Sequence, residues 1–245
     1  MITRRFEKVE PLDRRSRRCA LVLCGICVVV VAVLSVIVHG NGAPLAVDRY
    51  VDARLPVLSN PSARWLNQAG LIDGFAFAIV VLVGAALSLG DRFSAITAAI
   101  GCPMAALITE RIAKPLVGRR EPLGLGFPSG HSATAAALAA VAVLIVYRRW
   151  GKWGLVAVVP VSLLWPALMA LAVIRLQFHY FTDTVGGTLV GYGTVAAVGW
   201  FVSTILATRV GGPPADGVAT VRRPLRGIRS AKPSSSNGSS FLARR

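Results

Sequence analysis

The chain has 245 residues, of which 54% are hydrophobic, and its mean hydropathy is +0.62. A soluble domain of this length is rarely so apolar, so composition excludes an ordinary soluble protein and favours one that crosses a membrane several times. A formal net charge of +16 is also typical of nucleic-acid-binding proteins. We predict no nucleic-acid partner, because no nucleic-acid-binding motif is visible. Most of the excess positive charge lies at the two ends of the chain, which we expect to be cytoplasmic.

Six apolar segments have the length of about 20 residues that a bilayer core requires. They cover residues 19–39, 71–89, 94–117, 131–147, 154–175 and 181–207. The first is longer than the apolar part of a signal peptide, and no Ala-x-Ala cleavage site follows it, so we predict a retained helix. The expected fold is all-α, a six-transmembrane-helix bundle over residues 19–207.

Basic residues set the expected orientation of this bundle. Residues 1–18 hold seven Lys and Arg against three acids, and residues 208–245 hold eight against one. By the positive-inside rule both ends are cytoplasmic, the first as a polar lead and the second as a disordered basic tail. Within the first outer loop, Ala46–Leu58 mixes apolar and charged residues, which fits an interfacial helix or a plain connector. The predicted outer loops are 40–70, 118–130 and 176–180.

The first of two motifs at this outer face contains His131. It follows Pro128-Ser129-Gly130 at the start of the fourth span. Ser129 is a good helix N-cap, and the unpaired amides at a helix start, together with the helix dipole, bind anions. Gly130 lets the backbone approach a phosphate closely, and His131 can then protonate a leaving oxygen. An ordinary helix cap with an interfacial histidine explains this motif equally well when it is taken alone.

The second motif contains His179 at the start of the sixth span. Asp183 follows four residues later, so the two side chains share one face of a helix. The carboxylate can hold the imidazole in one tautomer and stabilise its cation, which leaves the other ring nitrogen free to attack phosphorus. The alternative is a histidine at a helix start with an aspartate near the positive end of the helix dipole.

Basic side chains also map to this outer face, where they are normally few. They are Lys114, Arg119, Arg120 and Arg175. Ammonium and guanidinium groups can neutralise the oxygens of a phosphoryl group during transfer. Contacts with solvent or lipid headgroups would also explain any one of them. Glu110 precedes Lys114 by four residues, so these two side chains can pair.

Together these motifs resemble the type 2 phosphatidic acid phosphatase superfamily of integral membrane phosphatases, which is related in fold to the vanadium haloperoxidases. The family motif Pro-Ser-Gly-His is intact at 128–131. The family motif Ser-Arg-x5-His-x3-Asp keeps its end as His179 and Asp183, followed by Gly186-Gly187. The motifs extend from Lys114 to Asp183, and the six-helix layout extends over about 19–207.

Two arginines of the family motifs are absent. Glu121 stands where Lys-x6-Arg-Pro has arginine, and Ala172-Val173 stands where Ser-Arg would align. Arg119 or Arg120 is the expected substitute for the first arginine, and Arg175 for the second. A glutamate near a phosphate should repel it, so the alternative is a weak site or one suited to a different head group.

The resemblance implies a metal-independent hydrolysis through a phosphohistidine, with His179 as nucleophile and Asp183 orienting it. His131 would act first as acid and then as base. Lys114, the nearby arginines, Ser129 and Gly130 would hold the phosphoryl oxygens. No metal or other cofactor is expected, because cations can supply the electrostatic stabilisation that a metal would otherwise give.

The implied partner is an amphiphilic phosphate in the outer layer of a bacterial cell membrane. Candidates are phosphatidic acid, a related phospholipid or a polyprenyl diphosphate. Three alternatives stay open: a lipid phosphotransferase with the same site, a lipid-binding homologue with weak or lost activity, and a transporter. A transporter would need polar residues near the bilayer midplane, whereas the charges here gather at the outer ends of the spans.

Overall fold

A computed structural model of the protein describes residues 9–55, 59–121 and 124–210. In chain order its helices are α1 (Arg14–Val38), α2 (Ala46–Asp52), α3 (Asn60–Ala69), α4 (Ile72–Ser88), α5 (Arg92–Leu107), α6 (Lys114–Val117), α7 (Gly130–Arg175) and α8 (Phe181–Val210). A π-helix, Ile108–Ala113, joins α5 to α6. The predicted mostly helical class is confirmed. Residues 1–8 of the predicted polar lead and 211–245 of the predicted tail lie outside the described residues.

A short antiparallel hairpin precedes α7 and was not predicted. Its strands are β1 (Arg120–Glu121) and β2 (Gly124–Leu125), and Glu121 pairs with Gly124. The first predicted outer loop is also more regular than expected, because it contains both α2 and α3. These elements surround the start of α7, where the sequence motifs lie.

Within the described residues, four helical runs are long and apolar enough to cross a membrane. They are α1, the continuous run Arg92–Val117, α7 and α8 up to Thr208. Helices α3 and α4 meet at a 56° bend and make a fifth span if the pair is one broken crossing. The protein is therefore a multi-pass membrane protein.

Helix α7 is interrupted at Gly151. This residue has φ 62° and ψ −149°, a non-helical conformation inside the 46-residue run, so two helices meet there. Glycine adopts positive φ without the steric cost that a Cβ would bring. The predicted spans 131–147 and 154–175 lie on either side of this break, but the loop expected between them is reduced to a single non-helical residue.

Helices α7 and α8 approach closely through small residues. A Cβ at Gly191 of α8 would collide with the carbonyl of Ala133 and lie 2.8 Å from the Cβ of Ala136. A Cβ at Gly187 would collide with the carbonyl of Ser129. Small residues let the backbones of membrane helices approach and gain van der Waals contact. The start of α8 is thereby held against the start of α7.

Replacing Gly191 with alanine should destabilise the protein, since the added methyl group has no space between α7 and α8. Overpacking of this kind costs about 1–3 kcal/mol. The matched control is Gly84→Ala in α4, where a Cβ would meet nothing within 4 Å. Thermal unfolding in detergent measures the difference. Equal melting temperatures for the two variants would contradict the close packing described here.

Candidate active site

At the start of α7, a hydrogen bond connects the motif that contains His131 to the motif that contains His179 and Asp183. Ser129 is the N-cap, as predicted, and its hydroxyl accepts a hydrogen bond from the amide of Ser132 at 3.4 Å. The amide of Ser129 donates to the carbonyl of Asp183 at 2.9 Å. Ser129 is fully buried, so this bond fixes the relative position of α7 and α8.

A π-helical turn places an ion pair against this helix start. Nζ of Lys114 lies 2.8 Å from Oε1 of Glu110, which is the predicted i,i+4 pair. A Cβ at Gly130 would collide with this carboxylate and lie 4.0 Å from the lysine ammonium. The π-helix changes the direction of side chains relative to α5, and turns of this type are frequent at functional sites. A side chain at position 130 would therefore have to displace the Glu110 carboxylate.

The two histidines belong to different helices but face a common region. His179 acts electrostatically on His131, and the charges of Lys114 and Glu110 act on both rings. His131 lies against Gly70, where a Cβ would be 2.6 Å from the ring carbon Cδ2. Nε2 of His131 and Nδ1 of His179 are buried and have no hydrogen-bond partner among the described residues.

Burial dominates the protonation state of His179. Its pKa is lowered from 6.5 to about 4, mainly by removal from water, and the positive charges of Lys114 and Arg119 act in the same direction. The negative charges of Asp183 and Glu110 oppose that shift but do not cancel it. The His179 imidazole is therefore neutral at neutral pH, which is the form that can act as a nucleophile.

Arg119 forms a buried clamp with Asp183. Its side chain is fully buried, and Nη1 donates to Oδ1 of Asp183 and to Oγ1 of Thr182, both at 2.7 Å. Nη2 donates to Oδ2 of Asp48 at 3.2 Å and to the carbonyl of Ala43 at 3.1 Å. Both terminal nitrogens thus bind protein oxygens, a different setting from the phosphate contact expected for Arg119.

Asp48 is a member of this clamp that sequence reasoning missed. Its Oδ1 accepts a hydrogen bond from the amide of Thr182 at 2.8 Å, and its Oδ2 accepts one from the amide of Leu45 at the start of α2. Asp48 is buried, so α2 is bound to the start of α8. Of the two interpretations of 46–58, a helix is correct for Ala46–Asp52.

Glu121 lies beside His179. Oε2 of Glu121 is 3.5 Å from Nδ1 of His179, and the two side chains are only 5% and 10% exposed. Asp183 makes no such contact with the ring: its Oδ1 binds Arg119, and its Oδ2 accepts from the amide of Tyr180 at 2.9 Å. The orienting bond expected from Asp183 to His179 is thus not formed in this state.

Three of these side chains could hold a metal ion. Ligand atoms of Glu121, His179 and Asp183 all lie within 4.8 Å of one another. The oxygens of Asp183 already have hydrogen-bond partners, and the Arg119 cation is 2.7 Å from one of them. That fixed positive charge disfavours a divalent cation at the same place.

The remaining predicted cations lie in other surroundings. Arg120 is exposed on β1. Arg175 ends α7, and its Nη2 donates to the carbonyl of Leu55. The residues that the structure brings together around the two histidines are Glu110, Lys114, Arg119, Glu121, Ser129, Gly130 and Asp183.

Comparison with known proteins identifies the class. A family model of the PAP2 superfamily matches residues 94–207, which include every motif described above. The predicted resemblance to this superfamily is thereby confirmed.

One solved structure has the same fold. It is described as the first transmembrane PAP2 type phosphatidylglycerolphosphate phosphatase from Bacillus subtilis. The TM-score is 0.61 at 16% sequence identity, over 78% of this chain and 98% of that chain. The sequence has no significant match among curated proteins.

Proposed function

We propose that the protein is a membrane phosphatase that hydrolyses a lipid phosphate or diphosphate through a phosphohistidine. The observation that carries the proposal is the convergence of His131 and His179 with Lys114 at the start of α7. Membership of the PAP2 superfamily, and the phosphatase activity in the description of the Bacillus subtilis neighbour, support a lipid phosphatase in general.

The proposed reaction has two steps. Nε2 of His179 attacks phosphorus while the bond to the lipid oxygen breaks, and His131 gives that oxygen a proton. Water then attacks the phosphohistidine and transfers a proton to His131, the P–N bond breaks, and inorganic phosphate leaves. The negative charge of Asp183 favours the positive charge that develops on His179.

Donors around the start of α7 would hold the phosphoryl oxygens. They are Lys114, the Ser129 hydroxyl and the Gly130 amide, with Arg120 and Arg175 as the proposed substitutes for the missing family arginines. Glu110 is 47% exposed, and a pair this exposed contributes little stability. A phosphate can therefore displace Glu110 from the ammonium group of Lys114. Arg119 has a separate role in this proposal, since it holds Asp183.

The proposed topology has six spans, with both termini in the cytoplasm and the site at the outer face. The break at Gly151 supports it, because it divides α7 into two helices of spanning length. Helices α1, α4, the run Arg92–Val117 and α8 supply the other four. The site then lies where the headgroup of a lipid in the outer leaflet can reach it.

The first test is phosphate release by the purified protein in detergent and EDTA. The substrates are phosphatidic acid, lysophosphatidic acid, diacylglycerol pyrophosphate and a polyprenyl diphosphate. We expect release from at least one lipid, inhibition by vanadate as a pentacoordinate phosphate mimic, and no loss of activity in EDTA. Activity that EDTA removes and a divalent cation restores would contradict the metal-free mechanism. Release that needs an alcohol acceptor would identify a transferase, and no release would favour a lipid-binding homologue.

The pH dependence should reflect the lowered pKa of His179. The neutral ring is the nucleophile, so activity requires a pH above its pKa of about 4 and is lost as pH falls through that value. We expect kcat/KM to persist well below the usual histidine value of 6.5. The pH profile of kcat/KM must be corrected for the second ionisation of the substrate phosphate, which has a pKa of about 6. An acid limb close to 6.5 would contradict the buried, neutral state of the ring.

A further inference from the structure

We infer that Glu121 is the carboxylate that positions His179, a task for which the sequence motif suggests Asp183. The inference deepens the proposed function and rests on it, because positioning matters only if His179 is the nucleophile. Glu121 does not touch the substrate in this account. It acts through His179 and is a positioning residue.

Both carboxylate oxygens of Asp183 already have hydrogen-bond partners other than His179. Its Oδ1 is 2.7 Å from Nη1 of Arg119, and its Oδ2 is 2.9 Å from the amide of Tyr180. Both bonds are formed within a clamp whose side chains are buried. Turning Asp183 toward His179 would break a charge-assisted hydrogen bond and leave the buried guanidinium short of a partner, which is costly.

The side chains of Glu121 and His179 lie next to each other. Nδ1 of His179 and Oε1 of Glu121 are both buried, and neither has a hydrogen-bond partner among the described residues. Oε2 of Glu121 lies 3.5 Å from Nδ1, slightly too far for a hydrogen bond. Catalytic hydrogen bonds in unliganded sites are often long and tighten when substrate binds. A small rotation of either side chain forms the bond.

The backbone of the hairpin holds the Glu121 side chain beside His179. The residue lies in β1, where it pairs with Gly124, and the amide of Gly126 donates to the carbonyl of Arg119 at 2.9 Å. A Cβ at Gly126 would collide with the carboxyl group of Glu121 and lie 2.7 Å from its Oε2. The glycine therefore provides the space that the Glu121 side chain occupies beside His179.

The position of Glu121 also answers the objection that a glutamate repels phosphate. The contact is on the Nδ1 side of the ring, so it does not block Nε2, the nitrogen that attacks phosphorus in the proposed reaction. A carboxylate there accepts the Nδ1 proton and favours the cation that forms as the P–N bond is made. Glu121 in place of the family arginine then contributes to catalysis, with Arg119 holding Asp183.

The kinetics of Glu121→Gln test the inference. The matched control is Glu10→Gln, because Glu10 is an exposed glutamate that is distant in sequence from Glu121. We expect kcat to fall by about 10²-fold with little change in KM, because the lost group acts on the nucleophile. Glu121→Asp should retain more activity than Glu121→Gln. Gly126→Ala should lower kcat in the same way, since it displaces the carboxylate without removing it. A lower KM with unchanged or higher kcat in Glu121→Gln would instead mean that Glu121 repels substrate.

A second measurement does not depend on activity. The chain has three histidines, so the imidazole ¹⁵N spectrum of the labelled protein in detergent contains three pairs of ring signals. His179→Ala assigns one pair. We expect His179 in the native protein to carry its proton on Nδ1, and Glu121→Gln to change this pattern while Glu10→Gln does not.

The two measurements separate the inference from the proposed function. If the native protein releases no phosphate from any lipid, the proposed function fails, and the spectrum still decides which acid contacts His179. If Asp183→Asn changes the His179 signals and Glu121→Gln does not, the inference is wrong. It is also wrong if EDTA or added Zn²⁺ shifts these signals in the native protein, because a metal ion would then occupy the space between Glu121 and His179.

Discussion

Replacing His179 with alanine should reduce phosphate release by at least about 10³-fold, the order of loss seen when a covalent nucleophile is removed. No other described side chain can take its place at phosphorus, because the second histidine at the site, His131, is needed to protonate the leaving oxygen. Substrate binding should persist, since the cations that hold the phosphate remain. The measurement is single-turnover phosphate release, together with acid-labile phosphate bound to protein in the quenched reaction.

The matched control for this experiment is His39→Ala. His39 follows the last residue of α1 and is exposed, so its removal should leave activity and stability unchanged. Acid-labile phosphoprotein should appear with the native chain and with His39→Ala and be absent from His179→Ala. If His179→Ala releases phosphate at the native rate, the phosphohistidine mechanism is wrong, whatever the substrate.

Replacing Arg119 with alanine should strongly destabilise the protein. The guanidinium pairs with Asp183 at 2.7 Å and with Asp48 at 3.2 Å, and all three side chains are almost completely buried. Removal of one partner from a buried ion pair leaves an uncompensated charge and costs about 3–5 kcal/mol. Arg119→Lys should also be destabilised, because one ammonium group cannot reproduce the planar fork that joins both acids.

Thermal unfolding in detergent, with Arg120→Ala as control, measures this effect. Arg120 is the adjacent residue but is exposed, so its removal should change the melting temperature little. A stable Arg119→Ala protein with a raised KM would contradict the clamp and support the phosphate contact expected from the sequence. Loss of activity in Arg119→Ala has meaning only beside its melting temperature, because an unfolded site is also inactive.

The parts of the structure that sequence predicted depend on local interactions. Ser129 caps α7 because its hydroxyl is three residues from the amide that it binds, and Glu110 pairs with Lys114 one helical turn away. The helices could be found from apolar runs of spanning length. Such features need no knowledge of the tertiary structure, so a single sequence is enough to find them.

The parts that sequence did not predict depend on distant contacts. Asp48 and Arg119 are 71 residues apart, and nothing in the sequence around Asp48 marks it as a partner. The same holds for Glu121, whose interpretation as a repulsive residue came from the family motif and not from its surroundings. The hairpin that holds it has strands of only two residues, which is too short for a periodic pattern.

The Arg119 clamp has a consequence for the biogenesis of the protein. It joins α2, the segment before β1 and the start of α8, and α8 is the last of the described helices to be synthesised. Until α8 inserts, Asp48 is the one acidic partner that Arg119 has among the described residues. A truncated chain that ends before α8 lacks Asp183 and therefore cannot complete the clamp. Under the proposed function, we therefore expect phosphate release only from chains in which α8 has been integrated into the bilayer.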